Sequence, residues 1–426
     1  MGRAIPAPHV SMLDTRSAAT TASPATAARA RAQQNLQDAA DQPAGGEHAR
    51  LRDEALQGNA DAQNRLGMLY GSGKGVRQDW VQATGWFRQA AEQGNASAQF
   101  NLGVVHGNGQ GVPRDLLQAQ HWYRKAAHQG HAKAQFNLGL LFGNGEGVAQ
   151  DYEQARNWYT DAAEQGHPGA QNNLGLLYVN GHGVQRDHQK ALAWFCKAAE
   201  QGDAAAQNNL GMVHSNRGDL PQEFDKALFW YRKAADQGYA NAQFNLAALL
   251  ENGEGTAPDP VAALGWYRAA AMQDHVRAQF RLGRLLEQGH AAAADPQEAL
   301  SWYRRAANAG HARAQFHVGL RYDSGHGVPQ DQQQALDWYR RAAESGHARA
   351  QLNLGLMYLV GHGTARDPVQ AHKWFHLAET AAGSTDLGDK PQRQRLHAEA
   401  VMDARQLQEA RGLAQQWLAR EDKTPG

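Results

Sequence analysis

Histidine is the residue that most invites chemistry in this chain. Twenty are present, and five of them, His131, His167, His275, His311 and His347, share one register of an internal interval. Imidazole is the commonest metal ligand and titrates near neutral pH. Donors on one zinc ion must lie ~2.0–2.1 Å from it. Equivalent residues on successive packed helices stand ~8–10 Å apart, so these five cannot share a metal, and they are expected instead to help start helices. His372 and His376 are spaced i, i+4 with Glu379 three further on, which puts all three on one helical face. The pattern is not HExxH, and an exposed surface is the expectation. GSGKGV at 71–76 has the glycine richness of a phosphate loop but neither the spacing nor the preceding strand that a P-loop requires. Cys196 has His188 upstream but no setting that would activate a nucleophile. No enzyme, cofactor or metal is expected.

Lys and Arg number 42, and so do Asp and Glu. That balance offers no basic field for nucleic acid. No apolar run is long enough to span a bilayer. With one cysteine the chain forms no internal disulfide, which fits a reducing compartment and an expected cytoplasmic location. Residues 1–46 are rich in Ala, Ser, Thr, Pro and Arg and poor in core-forming residues, so they are expected to form a disordered leader. The leader lacks the apolar stretch of a secretory signal. Export through a dedicated system without such a signal is the alternative.

The elements that must position any site are all alike. Gln recurs at 63, 99, 135, 171, 207, 243, 279, 315 and 351, and Trp followed by Phe or Tyr recurs at the same interval from Trp86 to Trp374. Nine copies of a 36-residue unit therefore fill residues 59–382, the signature of a solenoid. In the first copy Ala62, Leu66, Leu69 and Tyr70 mark one helical face. A Gly-rich connection follows, then Asp79 at an N-cap position before Ala83, Trp86, Phe87, Ala90 and Ala91. Gly67 recurs in eight copies, with Ala247 the exception. A mid-helix glycine costs ~1 kcal/mol relative to alanine, so its recurrence predicts a neighbour too close for a Cβ. The tryptophans are expected in the core, with Trp230→Ala costing ~3–5 kcal/mol.

Two copies depart from this pattern, with SNRGDLP at 215–221 and GHAAAAD at 289–295. Residues 47–58 are expected to cap the start of the array. Residues 383–420 are expected to form capping helices at its end, using Leu396, Ala400 and Val401, then Leu407, Ala410, Leu413, Ala414 and Trp417, with Asp403 and Gln406 as a capping box. Residues 421–426 are left as a tail.

The run KAQFNLGLLFGNGEGVAQDYEQARNWYTDAA at 133–163 resembles the Sel1-like repeat, a relative of the tetratricopeptide repeat with a longer inter-helix loop. The resemblance implies an all-α, right-handed superhelical solenoid with the first helix of each pair on the concave side. It also implies a scaffold or adaptor role in protein complexes, as in signalling and in bacterial host interaction. A cysteine-rich bacterial branch is linked to β-lactam binding or hydrolysis; this chain lacks its cysteine pairs.

The helical wheel places positions 61, 64 and 68 opposite the core direction. The middle position carries Phe100, Phe136, Phe244, Phe280, Phe316 and Leu352, and three residues earlier stand Lys133, Arg277, Arg313 and Arg349. An aromatic stripe edged by positive charge predicts a groove for a protein or peptide segment with acidic residues beside apolar anchors. Packing of each Phe against its neighbour's helix is the competing expectation. An exported effector using the same repeats is the alternative function, with a β-lactam-binding hydrolase more remote. Partner identity and oligomeric state are not readable from the sequence.

Overall fold

The computed structural model describes residues 46–215, 222–289, 294–382 and 387–421. Among them all regular structure is α-helical. Helix α1 (Gly46–Leu56) precedes nine hairpins of a first helix A and a second helix B. These are α2 (Ala60–Ser72) with α3 (Trp80–Glu92), α4 (Ala96–Asn108) with α5 (Leu116–His128), and α6 (Ala132–Asn144) with α7 (Tyr152–Glu164). Then come α8 (Pro168–Asn180) with α9 (His188–Glu200), α10 (Ala204–Ser215) with α11 (Phe224–Asp236), and α12 (Ala240–Asn252) with α13 (Pro260–Met272). The last are α14 (Val276–Gln288) with α15 (Pro296–Asn308), α16 (Ala312–Ser324) with α17 (Gln332–Glu344), and α18 (Ala348–Val360) with α19 (Pro368–Ala382). Helices α20 (Lys390–Glu399) and α21 (Ala404–Glu421) complete the chain. Two compact units divide it, residues up to Ala170 with His182–Val184, and Gln171–Gly181 with everything from Gln185. Most of the leader and most of both variant loops lie outside the described residues.

Helix boundaries follow the capping residues. Asp79 accepts from the backbone N–H groups of Val81 and Gln82 at 2.9 and 3.0 Å, and Asp115, Asp151, Asp259 and Asp331 cap their B helices in the same way. The A helices stop where Gly73 and its counterparts enter the left-handed region, at φ 70° for Gly73. At Gly363 (φ 66°) a Cβ would lie 2.4 Å from the Gln332 carbonyl oxygen. This loop glycine therefore lets one hairpin seat on the start of the preceding B helix.

Within a hairpin the mid-helix glycine does what its recurrence predicts. A Cβ on Gly139 would stand 2.4 Å from the Tyr159 ring, and one on Gly319 2.7 Å from the Tyr339 ring. The intruding group is the aromatic that follows each tryptophan, and this corrects part of the expected core. Trp86, Trp122, Trp302 and Trp374 are buried as expected, but the other five repeat tryptophans are not. Tyr267, Tyr303, Tyr339, Phe195 and Phe375 are the largest fully buried side chains, whereas Trp158, Trp194, Trp230, Trp266 and Trp338 are only half-buried. Several of these tryptophans carry a cation over the ring, as Lys197 does 4.1 Å above Trp194. The second aromatic points at helix A while the first lies nearer the outer surface of helix B.

Hairpins are joined by the recurring glutamine. Gln99 is 5% exposed, and its Nε2 donates to the Ala91 carbonyl of the preceding B helix at 3.1 Å. Its Oε1 accepts from Gln129 Nε2 at 2.7 Å. Gln63, Gln207 and Gln243 repeat both bonds. In the last three repeats the second bond is lost, because Ala309, Ser345 and Ala381 replace the donor glutamine. The Oε1 atoms of Gln279, Gln315 and Gln351 are then buried with no partner among the described residues.

At the start, Leu51 and Ala55 of α1 are buried with the first hairpin's core. At the end, Asp403 and Gln406 form the reciprocal capping box, at 2.8 and 3.0 Å. Ala410 and Ala414 are buried, but Leu396, Ala400 and Val401 are exposed, because α20 packs through Pro391 and Ala398 instead.

Two expectations follow for stability. Tyr267→Ala should cost ~3–5 kcal/mol by opening a cavity, clearly more than Trp266→Ala next to it, as read in denaturant melts. Ala309→Gln should give Gln279 Oε1 a donor and raise stability by ~1 kcal/mol, since an exposed glutamine occupies the equivalent site in six earlier repeats.

Candidate partner-binding face

The A helices position every residue singled out for binding. Phe280 is 6% exposed, its ring 4.7 Å from that of His311 and 5.7 Å from that of Tyr303. Phe244 and Phe316 sit equivalently, against His275 with Tyr267 and against His347 with Tyr339. Phe100 and Phe136 are half-buried and stack on His131 and His167 at 4.8 and 4.5 Å. Leu352 joins the core that covers the last hairpin. The expected open aromatic stripe is therefore corrected: these side chains chiefly fill the space between successive hairpins. Asn64, Asn172 and Asn208 occupy the same position and are also buried. The wheel placed this position outward because it knows one helix alone, whereas each A helix has a neighbour on that side too. Lys133, Arg277, Arg313 and Arg349 are exposed, as the stripe's edge requires.

The five periodic histidines gain a double role. His311 Nδ1 accepts from the Ala314 N–H at 3.2 Å and so caps α16, while its ring covers Phe280. His131, His167, His275 and His347 cap their helices in the same way, at 3.1–3.3 Å. Burial, then nearby charges including Arg277 for His275 and Arg313 for His347, pushes those two imidazoles down to about 4. Burial lowers His131 and His311 as well.

One row on this face gave no signal when residues were judged singly. Asn101 and Asn137 in one unit, and Asn173, Asn209, Asn245 and Asn353 in the other, stand one residue after the Phe position, half-buried. Asn101 donates to Asn64 at 2.9 Å, Asn209 to Asn172 at 2.8 Å and Asn245 to Asn208 at 3.0 Å. Their 36-residue interval was the available clue. Arg281 and His317 hold the same register. Arg281 lies 3.7 Å from Glu251, which also accepts from the Tyr267 hydroxyl at 2.7 Å.

Between α12, α14 and α16 a cavity of about 230 Å³ opens, lined by Phe244, Arg277, Phe280, Arg281, His311 and Arg313. His372 is not on an exposed face as expected. It is 1% exposed, and its Nε2 bonds Glu399 at 2.9 Å, tying α19 to α20. No group of three or more metal-ligating side chains exists among the described residues, and no described helix is long and apolar enough to cross a membrane.

Stacked helical hairpins with an exposed A-helix face define a repeat scaffold of the kind that binds other proteins. The chain belongs to the Sel1 repeat family, which matches residues 60–95 and then each following 36-residue stretch, ending at 348–381. Members of this family generally mediate protein–protein interactions. The chain is similar to c5321, a protective antigen of uropathogenic Escherichia coli with an SLR fold, at 36% identity over 89% of this chain and 82% of that one, TM-score 0.73. It is also similar to a Sel1 repeat protein from Oxalobacter formigenes, at 37% identity over 69% and 86%, TM-score 0.57. No curated protein matches the chain.

The histidine caps predict a pH dependence. Folded pKa values lie below the ordinary ~6.5 of the unfolded chain, so the unfolded state binds more protons in between. Stability is fully present above about pH 6.5 and is lost as pH falls towards about 4. The His275→Asn, His311→Asn, His347→Asn variant should flatten this slope in thermal melts, because Asn59 and Asn95 already cap α2 and α4.

Proposed function

We propose that this protein is an interaction scaffold whose A-helix face holds a segment of a partner protein. The observation that carries the reading is the division of labour on each A helix. Position 64 and its equivalents pack between hairpins, and most equivalents of position 68, such as Val104, Leu176 and Leu320, pack partly against the core. Position 61 and several of its equivalents lie instead on an exposed strip that the core does not use. Asp61, Lys133, Arg277, Arg313 and Arg349 are on this strip and exposed. Within each unit the half-buried asparagines present carboxamide donors and acceptors beside it, a chemistry suited to the backbone of an extended segment. The aromatic residues contribute edges rather than faces. Phe100, Phe136, Phe244, Phe280, Phe316 and Leu352 would support the floor of the site, and the cations would meet acidic groups of the partner. Binding rather than catalysis is the role that this arrangement serves.

Site-specific photocrosslinking tests the reading. A photoreactive residue at Lys133 or Arg313 is expected to capture a defined partner, whereas one on an exposed B-helix site such as Gln89 is expected to capture none. Equal capture from both faces would overturn it.

A further inference from the structure

We propose that the cavity between α12, α14 and α16 is the anchoring subsite for a partner's acidic side chain next to an apolar one. This rests on the reading that the A-helix face holds a protein segment. The charge is not spread evenly along that face. The first six A helices carry Arg65 and Lys133 against Asp61 and Glu251, whereas α14, α16 and α18 carry six arginines against only Glu287 and Asp323. Those two acids are already engaged. Glu287 pairs with the buried Arg321 and accepts from the Tyr303 hydroxyl, and Asp323 accepts from the Tyr339 hydroxyl at 3.1 Å.

Arg277, Arg284 and Arg313 consequently have no carboxylate within ion-pair distance among the described residues. Two of the three line the cavity. Arg277 is laid over the Phe244 ring, 4.6 Å from its centroid, which holds the guanidinium at the rim. Arg281 is tethered to Glu251, and Arg313 is exposed on the opposite wall. Phe244 and Phe280 supply apolar edges to the floor. A volume of about 230 Å³ is room for roughly seven waters at ≈ 30 Å³ each, enough for a carboxylate and part of a neighbouring apolar side chain. His311 is already suppressed as a cation, by burial first and then by Arg313 and Arg277. The positive field of the cavity is therefore that of the arginines.

The experiment is selection from a random-peptide display library on the full-length protein. It runs in parallel on the Arg277→Glu, Arg313→Glu variant and on the milder Arg277→Gln, Arg313→Gln variant, with circular dichroism to confirm that each stays folded. The wild-type protein is expected to enrich peptides with Asp or Glu beside an apolar residue. A synthetic copy of the commonest such peptide should bind the charge-reversed variant at least about tenfold more weakly, and more weakly in high salt. Enriched peptides without an acidic bias, or acidic ones that bind the variants equally, would overturn the subsite while leaving the segment-binding reading intact. No enrichment at all would overturn both. A single-stranded RNA oligonucleotide that outcompetes the acidic peptide, and is lost in the same variants, would replace the peptide as occupant and overturn the proposal.

Discussion

Within each unit, hairpins are tied to their predecessors by a glutamine whose amide nitrogen reaches the last turn of the preceding B helix. Gln99 to Ala91, Gln207 to Ala199 and Gln315 to Ala307 are examples. A buried carboxamide without partners costs several kcal/mol against an apolar surrounding, so this bond sets the offset between neighbours rather than merely adding to their attraction. The alanines around it remove bulk, and the glycine–aromatic contact within each hairpin fixes how closely A and B approach. Stacking geometry is thus decided by a polar bond, while stacking energy comes from Leu66, Leu102, Leu138 and the rings packed over them.

The same neighbour dependence explains the binding face. A phenylalanine at this position packs well because the next hairpin brings a histidine ring to cover it, as His311 covers Phe280. Once it is covered, the exposed strip narrows to positions such as Lys133, Arg277 and Arg313, three residues earlier. Specificity is then left to residues that folding does not constrain, which is where Arg277, Arg313 and Arg349 stand exposed in α14, α16 and α18. The unpaired Gln279, Gln315 and Gln351 oxygens occur in these same three repeats. The part of the array with the most distinctive surface is therefore also the part in which the glutamine pairing within each hairpin is incomplete, while the bond to the preceding B helix is kept.

The repeat period, the helix pairs, the Asp caps and the reason for Gly67 were all legible in the chain, because each follows from local spacing. His311 as a helix starter was legible for the same reason. That α20 packs through Pro391 and Ala398 rather than Leu396 was not legible, since an apolar residue in a short helix says nothing about which neighbour arrives. His372 was misread as a surface residue because its partner, Glu399, lies 27 residues away on another helix. Trp230 was overrated as core because size alone does not say which of two adjacent aromatics faces helix A.

A strict 36-residue period with helical spacing in each copy calls for units that bury their faces against copies of themselves. Sequence alone therefore determined that this protein is an array of nine helical hairpins, with the repeat motif carrying the resemblance to the Sel1 type. It also determined where the charged residues fall along the array. Only the tertiary structure decided that the phenylalanines are packing residues, that the asparagines line the face beside them, and that Phe244, Phe280 and the arginines of α14 and α16 enclose one cavity. Those facts depend on which side chains from separate hairpins meet, and a period in sequence does not contain the offset between neighbours that brings them together.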